Sequence, residues 1–421
     1  MGGEVGELPA GWRLVRLEEI VTEGPTNGYS PPAAPGARGS RSLKLSATTQ
    51  GRMILSPETI KPLHETIPPG SWQWLAPGDL LVQRSNTADL VGTAAVYDGP
   101  PNAFVYPDLM MRIRFSDPAT TRWVWRYMNS PIGRRFFSTM AAGAAGSMPK
   151  ISGAKLRAMP IVLPPLPEQR RIADILDKAD AIRRKRKEAI ALTDELLRSA
   201  FLEMFGDPVS NPKGWEVRAL GAYCDMETGF AFQSARFESD GVRLCRGANV
   251  LPGAIDWSDV RYWPSREDVA DRYRLRAGDV VLAMDRPWIS SGLKVAIVSA
   301  GDLPAHLVQR VARLRAICGL TNEYIYFALL QPQFARHCAA RMTETTVPHI
   351  SPHDIRSHVL PVPDHATLRR FSQVGAMILD AKRQAERALA DAEVLFASLV
   401  SRVFRGDPAR CFIESTHGVR S

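Results

Sequence analysis

The sequence predicts an α+β protein, with two pseudo-repeated mixed α/β domains separated by two long helices that form an antiparallel coiled coil. Three observations lead to this prediction. Short motifs recur in the same order at a spacing of about 200 residues. A long amphipathic segment follows each copy of the repeat. The length of 421 residues exceeds a single ordinary core and suggests more than one domain.

The internal repeat consists of a series of paired short motifs. The paired segments are 11–12 and 214–215, 43–48 and 244–249, 75–82 and 275–282, 111–115 and 312–316, 125–136 and 325–336, 148–152 and 347–351, and 206–208 and 406–408. In each copy a Gly-Asp pair is followed, after twelve residues, by a further glycine, which is Gly92 or Gly292. One match arises easily by chance, but a series in constant register indicates a duplicated unit.

Each copy begins with a mixed region in which short β-rich segments alternate with turns. In the first copy, alternating hydrophobicity and β-branched or aromatic content predict four strands. These strands are expected within residues 43–47, 79–85, 91–97 and 111–115. Residues 123–141 and 323–342 are predicted to be helical, and a proline is expected to break each of these helices.

A long helix is predicted after each mixed region, from about Pro167 to Phe205 and from about Thr367 to Phe404. Apolar residues recur at spacings of three and four, which places them in one stripe along each helix. The stripe residues are Ile172, Ile175, Ala179, Ile182, Ala189, Leu196 and Ala200 in the first helix, and Phe371, Val374, Ile378, Ala381, Ala385, Ala388, Ala392, Leu395 and Leu399 in the second. Each helix would be about 55 Å long. The two stripes are expected to pack on each other.

These features divide the chain into five segments. The segments are a first mixed domain at 1–165, a first helix at 166–206, a second mixed domain at 207–364, a second helix at 365–407 and a C-terminal tail at 408–421. Three prolines lie in the stretch LPPLPEQ, residues 163–169, at the start of the first helix. We interpret them as a rigid collar, because their fixed backbone angles set the direction in which the helix leaves its domain.

The charge balance indicates an anionic partner. The formal net charge is +9 and the pI is near 9.5, which favours nucleic acid. The run RRKRK at 183–187 is either a solvated helix face or a contact to a DNA backbone or an acidic partner surface. Five scattered cysteines fit reduced thiols, and no apolar run is long enough to span a membrane. We therefore expect a cytoplasmic protein without a membrane partner.

The sequence lacks recognisable catalytic motifs. It has neither a G-x-x-x-x-G-K-[ST] phosphate loop nor the Asn-Pro-Pro-aromatic run of an amino-methyltransferase. His349, His353 and His358 are close in sequence but lie around a proline and a turn without cysteine partners, which disfavours a metal site. We expect a non-catalytic recognition protein without a metal. Two alternatives stay open: a stand-alone DNA methyltransferase or nuclease, and a coiled-coil scaffold without a DNA role.

The sequence resembles a known family, most specifically in one segment. Residues 163–185, LPPLPEQRRIADILDKADAIRRK, resemble the conserved motif of the specificity (S) subunit of type I restriction-modification systems. The Gly-Asp loop and the steps MPKIS and VPHIS are similar to that family's target recognition domains. The resemblance covers nearly the whole chain. It implies that each mixed domain is a target recognition domain for one half of a bipartite site in double-stranded DNA, with the helices as a ruler across an unread spacer.

The resemblance also implies protein partners. Two modification (methyltransferase) subunits would dock on the helices and use S-adenosylmethionine to methylate adenine. Restriction subunits would add a translocase and nuclease that depend on ATP and Mg. All of these cofactors would belong to the partner subunits, so the resemblance implies no cofactor in this chain.

Base reading requires hydrogen-bonding side chains at groove edges, and such side chains are concentrated in matched loops of the two copies. The predicted DNA-binding residues of the first copy are Lys44, Thr48, Arg84, Ser85, Asn86, Thr87 and Lys150. Those of the second copy are Arg246, Asn249, Arg286, Trp288, Ser290, Ser291, Lys294 and His349. Lys150 and His349 are expected to contact phosphates, which position a protein without specifying sequence. The loops differ strongly between the copies, as expected if they read different half-sites.

Overall fold

The computed structural model describes residues 8–33, 36–141, 148–341 and 348–404. The predicted C-terminal tail at 408–421 and the second Gly-Asp-Pro at 406–408 lie outside these residues. The chain divides into two compact units. Unit 1 comprises residues 1–186 and 388–421, and unit 2 comprises residues 187–387.

The secondary structure is mixed in both units. The strands of unit 1 are β1 (Arg13–Arg16), β2 (Glu23–Asn27), β3 (Arg41–Leu43), β4 (Ile60–Pro62), β5 (Leu80–Gln83), β6 (Ala94–Val96), β7 (Met110–Arg114) and β8 (Pro160–Leu163). The strands of unit 2 are β9 (Glu216–Ala219), β10 (Cys224–Thr228), β11 (Val242–Cys245), β12 (Val250–Leu251), β13 (Ala254–Ile255), β14 (Tyr262–Trp263), β15 (Val280–Ala283), β16 (Trp288–Ile289), β17 (Gly292–Leu293), β18 (Val295–Ile297), β19 (Ala305–Leu307), β20 (Val311–Ala316) and β21 (Val359–Val362).

The helices are α1 (Pro118–Asn129), α2 (Pro131–Met140), α3 (Gly153–Arg157), α4 (Leu166–Phe205), α5 (Asn322–Leu329), α6 (Pro332–Ala339), α7 (Pro352–Ser357) and α8 (His365–Phe404). Short 3-10 turns occur at Leu17–Glu19, Leu45–Ala47, Pro57–Thr59, Leu220–Ala222, Ser234–Arg236, Asp271–Tyr273 and Ala300–Asp302. None of the helices in the described ranges combines enough length with enough apolar character to cross a bilayer.

Each unit contains a four-stranded antiparallel sheet with the same connectivity. The strand order is β2-β7-β5-β6 in unit 1 and β10-β20-β15-β18 in unit 2. The register is also matched, since Leu81 lies opposite Arg112 and Val281 lies opposite Arg313. A separate ribbon in each unit joins the start of the mixed region to the strand before the long helix, β1 with β8 and β9 with β21.

The inner strands β5 and β15 are buried on both faces. Successive side chains of a strand point to opposite faces. Leu80 and Val82 accordingly join the hydrophobic cluster that includes α1, while Leu81 joins a second cluster on the other face. A strand covered on both sides needs a continuous apolar run, which explains the sequences LLV in β5 and VVLA in β15.

Most of the predicted short elements of the first copy are confirmed. Strands β5, β6 and β7 lie within the three later predicted segments, and a proline break separates α1 from α2. The strand predicted at residues 43–47 is wrong beyond Leu43, because Leu45–Ala47 forms a 3-10 turn. The hydroxyls of Thr48 and Thr49 both donate to the carbonyl of Leu45, and these local bonds compete with strand pairing.

The Gly-Asp turn of the repeat is a structural anchor. Asp79 is 2% exposed, accepts a hydrogen bond from the backbone nitrogen of Ala76 at 2.9 Å, and pairs with Arg114 Nε at 2.6 Å. Asp279 makes the equivalent pair with Arg315 at 2.5 Å. Hydrogen bonding to the aspartate raises the pKa of each arginine. The turn is therefore tied to a neighbouring strand of the sheet by a charged pair with a buried carboxylate.

The proline collar is held by side chains of the adjacent domain and of the long helix itself. Trp123 of α1 donates its Nε1 hydrogen to the carbonyl of Val162 at 2.8 Å. Gln169 in the first turn of α4 donates to the carbonyl of Pro164 at 2.8 Å. In unit 2, Tyr324 donates to the carbonyl of Pro361. These bonds fix carbonyls that lie just before each long helix, which agrees with a rigid exit from the domain.

The two long helices contact each other within each unit. In unit 1, Arg183 of α4 lies 3.8 Å from Glu393 of α8, and its guanidinium lies over the ring of Phe396. In unit 2, Lys382 donates to Asp194 at 2.5 Å. Burial of the predicted stripe varies along both helices, and Ile172, Phe371 and Ala392 are its buried members. Its members Ile182, Leu196 and Leu395 are 49%, 54% and 59% exposed. The prediction that the two stripes pack on each other is therefore wrong at these positions.

We predict that Asp79→Ala destabilises the protein by about 2–3 kcal/mol, because it breaks a charge pair whose acid is buried. The value is below that of a fully buried pair because Arg114 is one-third exposed. Urea unfolding measures the change. The exposed Asp89→Ala serves as the control and should change stability by less than about 0.5 kcal/mol. An equal effect of both substitutions would contradict the anchor role.

Two buried histidines of unit 2 predict a loss of stability in mild acid. Burial lowers the pKa of His306 and of His358 to about 4, from an ordinary value of 6.5. The folded state therefore binds fewer protons, and stability that is present above about pH 6.5 is lost as pH falls towards 4, by up to about 1.4 kcal/mol per pH unit for each group. His358→Phe should reduce this slope in thermal melts recorded across that range. An unchanged slope would contradict the buried neutral histidine.

Candidate nucleic-acid interface

The loop after β5 is fixed by backbone bonds from two other segments of unit 1. The nitrogen of Arg84 donates to the carbonyl of Leu109 at 2.8 Å, and the nitrogen of Ile151 donates to the carbonyl of Arg84 at 2.9 Å. Ser85 and Lys150 form an isolated antiparallel bridge. Three predicted site residues, Arg84, Ser85 and Lys150, are thereby brought together.

The loop after β15 has the same backbone frame in unit 2. The nitrogen of Met284 donates to the carbonyl of Arg310 at 2.9 Å, and the nitrogen of Ile350 donates to the carbonyl of Met284 at 2.9 Å. Asp285 and His349 form the bridge that corresponds to Ser85 and Lys150. The two units thus hold their loops by equivalent bonds while presenting different side chains.

In unit 1 the predicted loop residues divide into exposed and buried groups. Thr87 and Lys150 are exposed, while Arg84 and Asn86 are half-buried. Ser85 is 1% exposed, and its hydroxyl has no hydrogen-bond partner in the described part of unit 1. A base contact by Ser85 would therefore require the loop to open.

Gln83, which the sequence analysis missed, connects two predicted loops. Its amide nitrogen donates to the hydroxyl of Thr48 at 2.9 Å, and its amide oxygen accepts from Asn86 at 2.7 Å. Thr48 is fully buried and supports the loop from below, whereas Lys44 is exposed and donates to the carbonyl of Glu58 at 2.8 Å. The signal for Gln83 was a polar residue at the end of an otherwise apolar strand.

In unit 2 the matched residues Arg246 and Asn249 bind other groups of the protein. Asn249 is 1% exposed and donates to the carbonyls of Asp256 and Asp259 at 2.9 and 3.2 Å, so it holds the turn together. Arg246 pairs with the carboxylate of Asp259 at 2.9 Å. A DNA contact by Arg246 would have to compete with this ion pair.

The remaining predicted residues of unit 2 lie around the β16–β17 hairpin. Ser290 and Ser291 are exposed at its turn, while Trp288 is half-buried and packs towards Phe334, with ring centroids 6.3 Å apart. Arg286 is exposed. Lys294 is 9% exposed, and burial lowers the pKa of its ammonium group, an effect that nearby Asp285 opposes. 

An ion cluster in unit 2 includes two residues that the sequence analysis missed. Asp285 Oδ1 lies 2.7 Å from Nδ1 of His349, and its Oδ2 lies 3.7 Å from Nε of Arg310. Asp285 carries no side-chain donor, so a pattern of donors to DNA does not include it. Arg310 was overlooked because it lies in a different loop, just before β20. His349 is engaged with a carboxylate, so a phosphate contact by it stays a prediction.

Several known proteins are similar to parts of this chain. Residues 135–192 match the family model described as the type I restriction modification DNA specificity domain. The chain is 34% identical over 174 residues to the specificity subunit of the type I restriction enzyme EcoAI from Escherichia coli, covering 41% of this chain and 29% of that protein. It is 28% identical over 219 residues to the MjaVIII specificity subunit from Methanocaldococcus jannaschii, covering 48% and 51%.

A solved structure shows the same fold. The S subunit of a type I restriction-modification system from M. genitalium superposes with a TM-score of 0.60 at 13% identity, covering 95% of this chain and 98% of that one. The alignments to the two sequence relatives span less than two thirds of their own lengths. The family match at residues 135–192 and these partial alignments show that parts of this chain are similar to the specificity subunits of type I restriction-modification systems, and the solved structure shows a shared fold.

Proposed function

We propose that this chain is the DNA-recognition subunit of a type I restriction-modification complex, in which units 1 and 2 each read one half of a bipartite site. One observation carries the proposal. The loops after β5 and β15 are held by equivalent backbone bonds, yet their side chains differ at nearly every position. A conserved frame with variable polar side chains is what two readers of different sequences require.

The side chains of these loops fit DNA rather than a small-molecule ligand. Arg84, Thr87 and Lys150 in unit 1, and Arg286 and the hairpin serines in unit 2, are exposed or half-exposed donors. Arginine and lysine contact guanine or phosphate, and hydroxyls contact either. The net charge of +9 adds a sequence-independent attraction to the phosphate backbone.

The long helices are proposed to act as a ruler and as a docking surface. Their contacts within each unit support an antiparallel pairing, since Arg186 of α4 reaches the carbonyl of Ala388 while Arg183 lies near Glu393. Several apolar side chains on the helices are exposed. They are Ile182, Val394 and Leu395 in unit 1, and Leu192, Leu196 and Met377 in unit 2. Exposed apolar surface of this kind suits a protein partner, and we assign it to two methyltransferase subunits.

The chemistry is proposed to belong to the partners. The methyltransferase subunits would supply the S-adenosylmethionine site, and restriction subunits would supply ATP- and Mg-dependent cleavage. The relatives are named specificity subunits, which agrees with a recognition role for this chain. Its contribution would be to select the sequence and hold the methyltransferase subunits at it.

We predict that exchanging one mixed region changes one half of the methylated site. Residues 1–160 are replaced by the corresponding region of a relative, and methylated adenines are mapped by single-molecule sequencing in a host that also carries the partner subunits. The other half of the motif should stay intact, because unit 2 keeps its own loops. The reciprocal exchange of residues 207–364 is the matched control. If both halves change together in either chimera, the two-reader proposal is wrong.

We predict that lengthening both helices lengthens the preferred spacer. A heptad inserted near Thr193 and another near Ala385 keep the apolar spacing of three and four. Each helix grows by about 10 Å, which corresponds to about three base pairs of DNA. Methylation across a library of spacer lengths reveals the preferred distance, and four-residue insertions, which shift the stripe, should impair folding instead. An active heptad variant that prefers the original spacer would show that the helices do not set the distance.

A further inference from the structure

The ion cluster of unit 2 carries an inference that deepens, and rests on, the proposed function. We propose that Arg310 reads a guanine in the half-site of unit 2, and that Asp285 and His349 are positioning residues for its guanidinium. The cluster lies where the loop after β15 meets the turn before β20 and the strand-like segment before α7.

The carboxylate of Asp285 is placed to orient an arginine. One oxygen is occupied by Nδ1 of His349 at 2.7 Å, which fixes the rotation of the carboxylate. The other oxygen faces Nε of Arg310 at 3.7 Å. Nε is the guanidinium nitrogen paired with the acid, which leaves the two terminal nitrogens for another partner. Within the described residues of unit 2, Asp285 is the one recorded partner of this side chain, which is 55% exposed.

The two terminal nitrogens of the Arg310 guanidinium suit guanine better than adenine. A guanidinium offers two parallel donors, and guanine presents two acceptors, O6 and N7, side by side in the major groove. Adenine presents one acceptor and one donor there, so it cannot accept both bonds. A guanidinium whose rotation is restrained by a carboxylate also loses less freedom on binding than a mobile one.

The backbone of the cluster is held in an unfavourable conformation. Arg310 has a φ of 71°, and the neighbouring Arg286 has a φ of 44°. Side chains other than glycine rarely adopt this left-handed region, and such residues are concentrated at functional sites. A glycine would satisfy the turn before β20 more easily. The side chain of Arg310 is therefore not explained by the turn itself.

The matched positions in unit 1 lack this cluster. The backbone bonds place Ser85, Lys150 and Leu109 where unit 2 has Asp285, His349 and Arg310. Ser85 is buried, and the side chain of Leu109 has no hydrogen-bond donor. The inferred guanine contact therefore belongs to unit 2 and contributes to the difference between the two half-sites.

The test is Arg310→Gly in the assembled complex with its methyltransferase subunits. Glycine adopts a φ of 71° without strain, so the thermal midpoint should not fall. Discrimination for guanine at one position of the half-site of unit 2 should fall by about 5- to 150-fold, while the other half-site is unchanged. Methylation rates on a library randomised over both half-sites give the readout. Arg218→Ala removes a charge of similar exposure, 56%, from a different sheet and is the control.

The positioning role has its own readout. His349→Asn keeps a donor for the carboxylate of Asp285 and should retain guanine discrimination, whereas His349→Phe removes the donor and should lose it. Asp285→Asn should also lower discrimination for guanine. An amide has one acceptor oxygen instead of two, so its N–H group would face either Nε of Arg310 or Nδ1 of His349. Equal losses in His349→Asn and His349→Phe would contradict the positioning role.

The outcomes separate this inference from the proposed function. If Arg310→Gly weakens methylation equally on all sequences, Arg310 contacts phosphate and the guanine assignment is overturned. If a bipartite motif is found but every position survives Arg310→Gly, the inference fails and the proposed function stands. If the wild-type complex methylates no bipartite motif, the proposed function itself fails.

Discussion

The pairing of a buried aspartate with an arginine of the neighbouring strand is the interaction on which the loops after β5 and β15 depend. Asp79 with Arg114, and Asp279 with Arg315, tie the turn at the start of β5 or β15 to β7 or β20. An unpaired buried carboxylate is costly, so the turn has one favourable position. The strand that follows is buried on both faces, so the loop at its other end also has a fixed position.

A fixed frame allows the loop side chains to vary. In both units the loop backbone is bonded to the turn before the neighbouring strand and to the segment before the collar. These bonds use backbone atoms and therefore do not depend on side-chain identity. Unit 1 can carry Ser85 and Lys150 where unit 2 carries Asp285 and His349. The polar side chains of the loops differ while the core stays the same, which is the property that the proposed recognition role needs.

The sequence predicted regular elements better than side-chain roles. Proline position and apolar spacing predicted helices starting at about Pro167 and Thr367, and the helices start at Leu166 and His365. Burial of Thr48, Ser85 and Asn249 depends on neighbours distant in sequence, so loop composition could not reveal it. The Asp285–Arg310 pair was missed for the same reason. The exposure of Ile182, Leu196 and Leu395 followed no sequence signal, because spacing does not specify whether a stripe is covered by the chain itself or by a partner.

The most direct measurement of the central claim is a map of methylated adenines in a host that expresses this chain with the methyltransferase subunits proposed as its partners, compared with a host that lacks this chain. If units 1 and 2 each read one half-site, the map should show a motif of two defined half-sites of different sequence. An unread spacer of constant length should separate them. Methylation that depends on this chain but follows a single contiguous motif, or a spacer of variable length, would contradict the account.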